Sequence, residues 1–334
     1  MKRTLTHFCS QRGEKNAPSF LIVYEWEDIL AKALGIKVKP HYKEWGKWSA
    51  KLERHNLVWI TKLFKRKKNV GLRFVMTAHK IDKVYLDCNI IPIIIDFWLD
   101  DDDICKFVHA YKDCPLVLVT NREVYDLLKE KTEELNVEHF PLSFPDQYAL
   151  TMEKTTGKKY DFCMFGRPNP FFQRFLSRYS KEHPDFTYLI TTGDEHCRKY
   201  YTNSGDFVCE DTGRESYLSI IKQTRITCYS TPGVDESKKI SGRFNQITPR
   251  VFEMLCNGCQ VIGHYPQAAD TLWYNISSVV PNVDTYDEFC EYMDKMRQSD
   301  FDFERVSSFM QNHYTSSRVP VLKEILKKYN IEIK

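Results

Sequence analysis

Arg250, Glu253 and Asn257 fall at i, i+3 and i+7 within Gly242 to Pro266, which reads G-R-F-N-Q-I-T-P-R-V-F-E-M-L-C-N-G-C-Q-V-I-G-H-Y-P. On a 3.6-residue wheel they share one narrow polar stripe. Val251, Phe252, Leu255 and Cys256 cover a wide apolar arc, and Met254 extends it on the other side. A helix that is apolar nearly all round is buried, so its one polar stripe must face something polar. The helix that carries these residues has local boundaries. Thr248 is a cap residue, Pro249 has no N–H to lose at the first helical position, and Gly258 is a stop. Gln260 to Gly263 then reads as a short buried strand.

A second stretch has anion-binding geometry. Tyr160 to Phe165 reads as a strand, Gly166-Arg167-Pro168-Asn169-Pro170 as a turn, and Phe171 to Tyr179 as an amphipathic helix. Strand, glycine turn and helix present backbone N–H groups to an anion. A guanidinium at Arg167 would grip a phosphate through two parallel hydrogen bonds. The dinucleotide fingerprint G-x-G-x-x-G and the P-loop lysine motif are both absent from this turn. The polar, glycine-bearing loop Thr231 to Asn245 carries Lys238, Lys239, Arg243 and Asn245, and leads into the buried helix. Such a loop is either a lid that grips phosphate or plain surface. Arg243 and Arg250 bracket the helix start, and the residues do not choose between them.

General-base chemistry needs a carboxylate or imidazole, and the candidates sit earlier. Leu72 to Thr77 and Ile90 to Ile95 are continuous apolar runs of the kind found in buried parallel strands. The first runs into Ala78-His79-Lys80 and the second into Asp96-Phe97-Trp98-Leu99-Asp100. In open α/β sheets the crevice lies beyond the carboxyl ends of the strands. His79, Asp96 and Asp100 are therefore the candidates. Asp100 to Asp103 is also a plausible helix cap, with more like charge than capping needs.

The run R-V-F-E-M-L-C-N-G-C-Q-V-I resembles the donor-site helix of two-domain nucleotide-sugar glycosyltransferases of the GT-B type. It is most similar to spore-maturation (CgeB-like) proteins and group 1 capsule or O-antigen enzymes. The likeness extends over residues 160 to 290, with Gln260 where the family has proline. It implies two Rossmann-like α/β domains facing across a cleft, with the acceptor in the first and the nucleotide sugar in the second. It also implies that Glu253 binds the ribose hydroxyls. Gly166, Arg167, Arg243, Arg250 and Asn257 would line the donor site. The departing diphosphate would be stabilised by helix dipole, backbone N–H groups and bases in place of a metal, with no cofactor. The acidic run Asp100 to Asp103 contains D-x-D matches and lies outside the expected donor domain. An inverting enzyme would draw its base from His79, Asp96 or Asp100. A sugar-nucleotide epimerase of the same fold and an inactive transferase-like scaffold remain as alternatives.

The other elements give the frame. With 334 residues, 42% hydrophobic and 28% charged, the chain is long enough for two globular domains. The expected divisions are 1–155, 156–315 and a terminal helix 316–334 that braces the first domain. Met1 to Ala17 reads as an irregular or short extended start and Phe20 to Tyr24 as the first strand. Glu25 to Leu34 reads as a helix with Glu25, Glu27 and Asp28 in its first turn, closed by Gly35. Leu116 to Thr120 and Val137 to Phe140 are strands around a helix Arg122 to Lys131. His196 to Asp211 reads as an irregular loop, Ser277 to Val280 as a late strand, and Thr285 to Met296 as a helix.

The formal charge of +3 gives no argument for nucleic acid as a partner. Lys62, Lys65, Arg66, Lys67 and Lys68 form a basic cluster around Leu63 and Phe64. It is a solvated loop, a platform for anionic lipid or a diphosphate-bearing glycan acceptor, or, as a third and least favoured reading, a nucleic-acid contact. Eleven scattered cysteines and the absence of a long apolar run or export signal point to the cytoplasm, with peripheral attachment to the inner membrane face as an option. Cys256 and Cys259 form a lone C-x-x-C best read as buried free thiols, since zinc needs further ligands.

Overall fold

The computed structural model describes residues 2–12, 18–40, 55, 57, 68–76, 89–166, 169–193, 197–211, 213–234 and 244–334. The chain forms two compact units, Met1–Pro145 with Thr315–Lys334, and Asp146–Tyr314.

The first unit is built on a seven-stranded parallel sheet. Strand β1 (Arg3–Ser10) comes first, from the stretch expected to be irregular or a short extended start. Its polar residues are interspersed with Leu5 and Phe8, both fully buried. The Phe20 to Tyr24 run is not a strand. It opens helix α1 (Pro18–Leu34), whose core residues Phe20, Val23, Trp26, Leu30, Ala31 and Leu34 keep the helical spacing of three and four. Because α1 starts at Pro18, Glu25, Glu27 and Asp28 lie about two turns in, beyond reach of the N-terminal dipole. Glu27 is instead buried. Gly35 closes the helix with φ +68°, where a glycine is unstrained.

Strands β2 (Lys37–Pro40), β3 (Asn69–Met76), β4 (Ile90–Ile95), β5 (Val117–Val119) and β6 (Val137–His139) follow. Helix α2 (Asp101–Tyr111) connects β4 to β5, and α3 (Arg122–Lys131) connects β5 to β6, with Asn121 capping α3 through Val124 N–H at 3.0 Å. The sheet order is β13-β1-β3-β4-β5-β6, with β2 also on β1. The added strand β13 (Ile331–Ile333) and helix α10 (Arg318–Lys328) come from the end of the chain. Leu322, Ile325, Leu326 and Ile331 join the core of Leu5, Phe8, Trp26 and Phe74. Arg318, 4% exposed, donates to Pro141 O at 3.2 Å and Leu142 O at 3.0 Å.

The second unit has a six-stranded sheet in the order β10-β9-β8-β7-β11-β12. Its parallel strands are β7 (Tyr160–Cys163), β8 (Tyr188–Gly193), β11 (Thr224–Ser230) and β12 (Gln260–His264). Within the expected loop His196 to Asp211, the described residues form an antiparallel hairpin, β9 (Arg198–Thr202) and β10 (Phe207–Asp211), at the edge of the sheet. Its turn takes Gly205 at φ +96° and closes with Thr202 N–H on Asp206 O at 2.9 Å. The expected strand Ser277 to Val280 is not formed. A short 3₁₀ turn occupies Ile276–Ser278, and β12 is met instead at Gly263 by Pro281 O and Val283 N–H. Helices α4 (Pro170–Glu182), α5 (Arg214–Gln223), α6 (Pro249–Cys256), α7 (Ala269–Tyr274), α8 (Tyr286–Gln298) and α9 (Phe303–Gln311) complete the unit. Phe162, Phe172, Tyr179, Ile226, Ile262, Phe289 and Met293 form one of its core clusters.

Candidate functional site

Helix α6 is short and held at both ends. Ile247 N–H donates to the buried Asp270 carboxylate at 2.6 Å, and Thr248 N–H to Tyr229 Oη at 3.0 Å. Pro249 then starts the helix. Val251, Phe252, Met254, Leu255 and Cys256 are each at most 1% exposed, as the apolar arc requires. At the far end Gly258 has φ +72°, and a Cβ there would lie 2.3 Å from Lys154 O, so the stop needs glycine on two counts.

The polar stripe divides into three roles. Asn257 closes the helix: its Nδ2 donates to Glu253 O at 2.8 Å, and its own carbonyl accepts from Lys158 Nζ at 2.8 Å. Glu253, 7% exposed, accepts from Arg214 Nη1 at 2.5 Å. Burial raises its pKa, and Arg214 first, then Arg250 and the Tyr217 hydroxyl, pull it back down. Arg250 is exposed, and among the described residues its guanidinium has no hydrogen-bond or ion-pair partner.

That guanidinium lies against Gly166. The glycine has φ +83°, and a Cβ there would stand 2.3 Å from Arg250 Cζ. The turn after β7 and the first turn of α6 are thus one place. Asn169 fixes the turn: Oδ1 accepts from Phe171 N–H at 3.0 Å to cap α4, and Nδ2 donates to Ser230 Oγ at 2.9 Å at the end of β11. After β11, Thr231 Oγ1 donates to Asn245 Oδ1 at 2.8 Å, and Asn245 fills the space beside Gly233 that a Cβ would take. A glycine turn, a helix start and a guanidinium converge at the carboxyl edge of the sheet. A helix dipole and a fixed positive charge together suit a phosphate.

No motif in the sequence singles out Arg214. A base in the first turn of a helix opposes the dipole, and Arg214 opens α5 directly after Gly213. That misplaced charge was the available signal that it answers a carboxylate elsewhere. It also lies over the Tyr148 ring at 4.9 Å.

In the first unit, Asp96 follows β4 with φ +52°, in the left-handed region. Asp100 caps α2, its Oδ1 accepting from Asp103 N–H at 3.0 Å, and Asp103 pairs with Lys106 at 2.7 Å. Two of the four acids therefore have local structural work. Lys68 is exposed. His79, Arg167, Arg243, Lys62, Lys65, Arg66 and Lys67 lie outside the described residues.

Cys256 and Cys259 are free and buried. Cys259 donates to Ile221 O and Thr224 O, each at 3.2 Å. Burial pushes the two thiols up to about 12 and about 11, far from reactive thiolates. Among the described residues there is no group of three or more His, Cys, Asp or Glu able to hold a metal ion, and no helix long and apolar enough to cross a membrane.

No protein-family profile and no curated protein sequence matches the chain. Solved structures do match in fold. HepE from Anabaena, in complex with UDP-glucose, is 10% identical over 98% of this chain and 100% of its own, with a TM-score of 0.54. An α,α-trehalose-phosphate synthase (UDP-forming) from Burkholderia vietnamiensis is 8% identical over 93% of this chain and 84% of its own, with a TM-score of 0.52. The chain has the fold of these proteins: two Rossmann-like α/β units of the GT-B class.

Proposed function

We propose that the protein is a glycosyltransferase that takes a sugar from a nucleotide-sugar donor bound at the carboxyl edge of the second sheet. The observation that carries this is the Arg250 guanidinium laid on the Gly166 turn at the start of α6. Of the two fold relatives named above, one holds UDP-glucose and the other is a UDP-forming synthase. In this reading the diphosphate contacts Arg250 and the backbone of the turn. Glu253, oriented by Arg214, accepts from the ribose hydroxyls. Negative charge growing on the departing diphosphate meets a fixed guanidinium and helix dipole, so no divalent metal is required.

The first test is binding of UDP, GDP, TDP and CMP, followed by Arg250→Ala with whichever binds. A charged hydrogen-bond donor lost from a phosphate lowers affinity by about 1.5–3 kcal/mol. No binding of any nucleotide would end the proposal. With a sugar nucleotide alone, slow hydrolysis supports a transferase, whereas inversion at C2 would identify an epimerase. Activity should persist in excess EDTA; loss restored by magnesium or manganese would replace the leaving-group assignment.

The acceptor proposed is a glycan or lipid-linked glycan, with Asp96 the favoured base of the first unit. Asp96→Asn should abolish transfer while leaving donor affinity intact. The basic residues Lys62 to Lys68 suggest salt-sensitive attachment to an anionic membrane face, each base contributing about 1 kcal/mol. Equal sedimentation with anionic and neutral vesicles would remove that part.

A further inference from the structure

We propose that His264 is a further ligand-binding residue of the second unit, its Nε2 accepting a hydrogen bond from a hydroxyl of the glycosyl group on the nucleotide. This rests on the nucleotide-sugar reading above.

His264 is the last residue of β12 and stands in register with Ser230, the last residue of β11. It therefore belongs to the same carboxyl edge as the residues that position the Gly166 turn. Ser230 Oγ accepts from Asn169, the cap of α4. From the first turn of that helix, Phe171 lies flat on the imidazole, ring centroids 3.8 Å apart and planes 10° apart, while Phe172 meets it edge-on. Nδ1 sits 3.0 Å from Val283 O and 3.3 Å from Asp284 Oδ1. A carbonyl oxygen can only accept, so Nδ1 carries a proton, and in that tautomer Nε2 presents a lone pair.

The stack and the Nδ1 bonds fix the plane and tautomer of a ring that is 20% exposed. Among the described residues Nε2 has no hydrogen-bond partner. An imidazole held in this way on one nitrogen presents the other to a ligand, as second-shell partners do for metal-bound histidines. The chemistry of the presented atom selects the ligand. A diphosphate offers only acceptors at neutral pH, so a lone pair repels it, and Arg250 already serves that group. A sugar hydroxyl offers a proton. The ribose also carries hydroxyls, and the experiment must separate the two.

Wild type is titrated by calorimetry with UDP-glucose, GDP-mannose and TDP-glucose, each beside its free diphosphate, and a pair that binds is carried forward. His264→Phe keeps a ring on Phe171 and removes Nε2. Its affinity for the sugar nucleotide should fall about tenfold, with affinity for the free diphosphate unchanged. Equal falls for both would place the contact on ribose or phosphate and overturn the proposal, as would no fall in either. The second measurement needs no variant: in ¹⁵N-histidine-labelled wild type, the His264 Nε2 resonance should shift with the sugar nucleotide and stay put with the diphosphate. A resonance that ignores both would reduce His264 to a packing residue. Failure of every pair to bind wild type would remove the nucleotide-sugar reading itself, whereas binding with an unshifted Nε2 removes only the part given to His264.

Discussion

Glu27 in the first unit and Glu253 in the second are glutamates buried on helices, 2% and 7% exposed. Glu27 accepts from Ser10 Oγ at 2.5 Å, and Arg12 Nε stands off at 3.9 Å while its Nη2 is bound to Asp28 at 2.8 Å. Burial dominates there and raises the carboxyl from its ordinary 4.5 to about 7. Glu253 is also raised by burial, but Arg214 is in contact and Arg250 adds to it. A guanidinium in hydrogen-bond contact opposes the effect of burial on a carboxyl more directly than a hydroxyl and a distant cation do. The difference also fits the expected tasks, since an acceptor already oriented by a guanidinium suits ribose hydroxyls.

The contrast breaks most visibly at Arg214. Arg214→Ala would leave Glu253 buried without its partner, a change that costs about 3–5 kcal/mol. Urea unfolding should show the loss, and adding Glu253→Gln should recover most of it. A loss below about 1 kcal/mol would mean that solvent reaches Glu253 and that the two glutamates are alike.

For Glu27 the sign runs with pH. A carboxyl whose folded pKa is raised gives stability that is fully present below pH 4.5 and is lost as pH rises through about 7. At 1.36 kcal/mol per pK unit, wild type should lose about 3 kcal/mol relative to Glu27→Gln between those limits. Parallel stability–pH curves for the two proteins would show that Glu27 ionises normally.

Glu253→Gln sharpens the functional half of the comparison. It should weaken nucleotide binding by about 1–3 kcal/mol, the scale of a hydrogen bond to a charged group. Lower thermal stability with unchanged affinity in calorimetry would leave Glu253 as a partner of Arg214 alone. Gly166→Ala should have the smallest effect on stability, about 1–2 kcal/mol for a Cβ in the left-handed region. It should also push Arg250 off the turn. Adding Arg250→Ala to it should then lower nucleotide affinity no further; full additivity would separate the two residues.

Much of the second unit was legible because its signals are local. The alternation of strand and helix from Tyr160 to Met296 follows apolar runs and caps, such as Thr285 with Glu288 at the start of α8. The first strand was not legible, because β1 carries only two large buried apolar residues among polar ones and draws its stability from three neighbouring strands. Phe20 to Tyr24 misled in the other direction: five apolar or aromatic residues in a row satisfy both periods, and the residues after them decide for helix. The β9–β10 hairpin lies at the edge of its sheet, and its strands R-K-Y-Y-T and F-V-C-E-D carry no apolar alternation.

What the sequence alone determined about α6 was its limits and its burial. A proline at the first position, a glycine that can take positive φ and a 3.6-residue apolar pattern are properties of neighbours in the chain. Partner choice was decided only by the tertiary structure. Glu253 meets Arg214 rather than Arg250, Arg250 meets Gly166, and His264 meets Phe171, because strand order and helix placement decide which side chains come within reach. Charge and ring contacts act over a few ångströms in space, and no spacing along the chain encodes that distance.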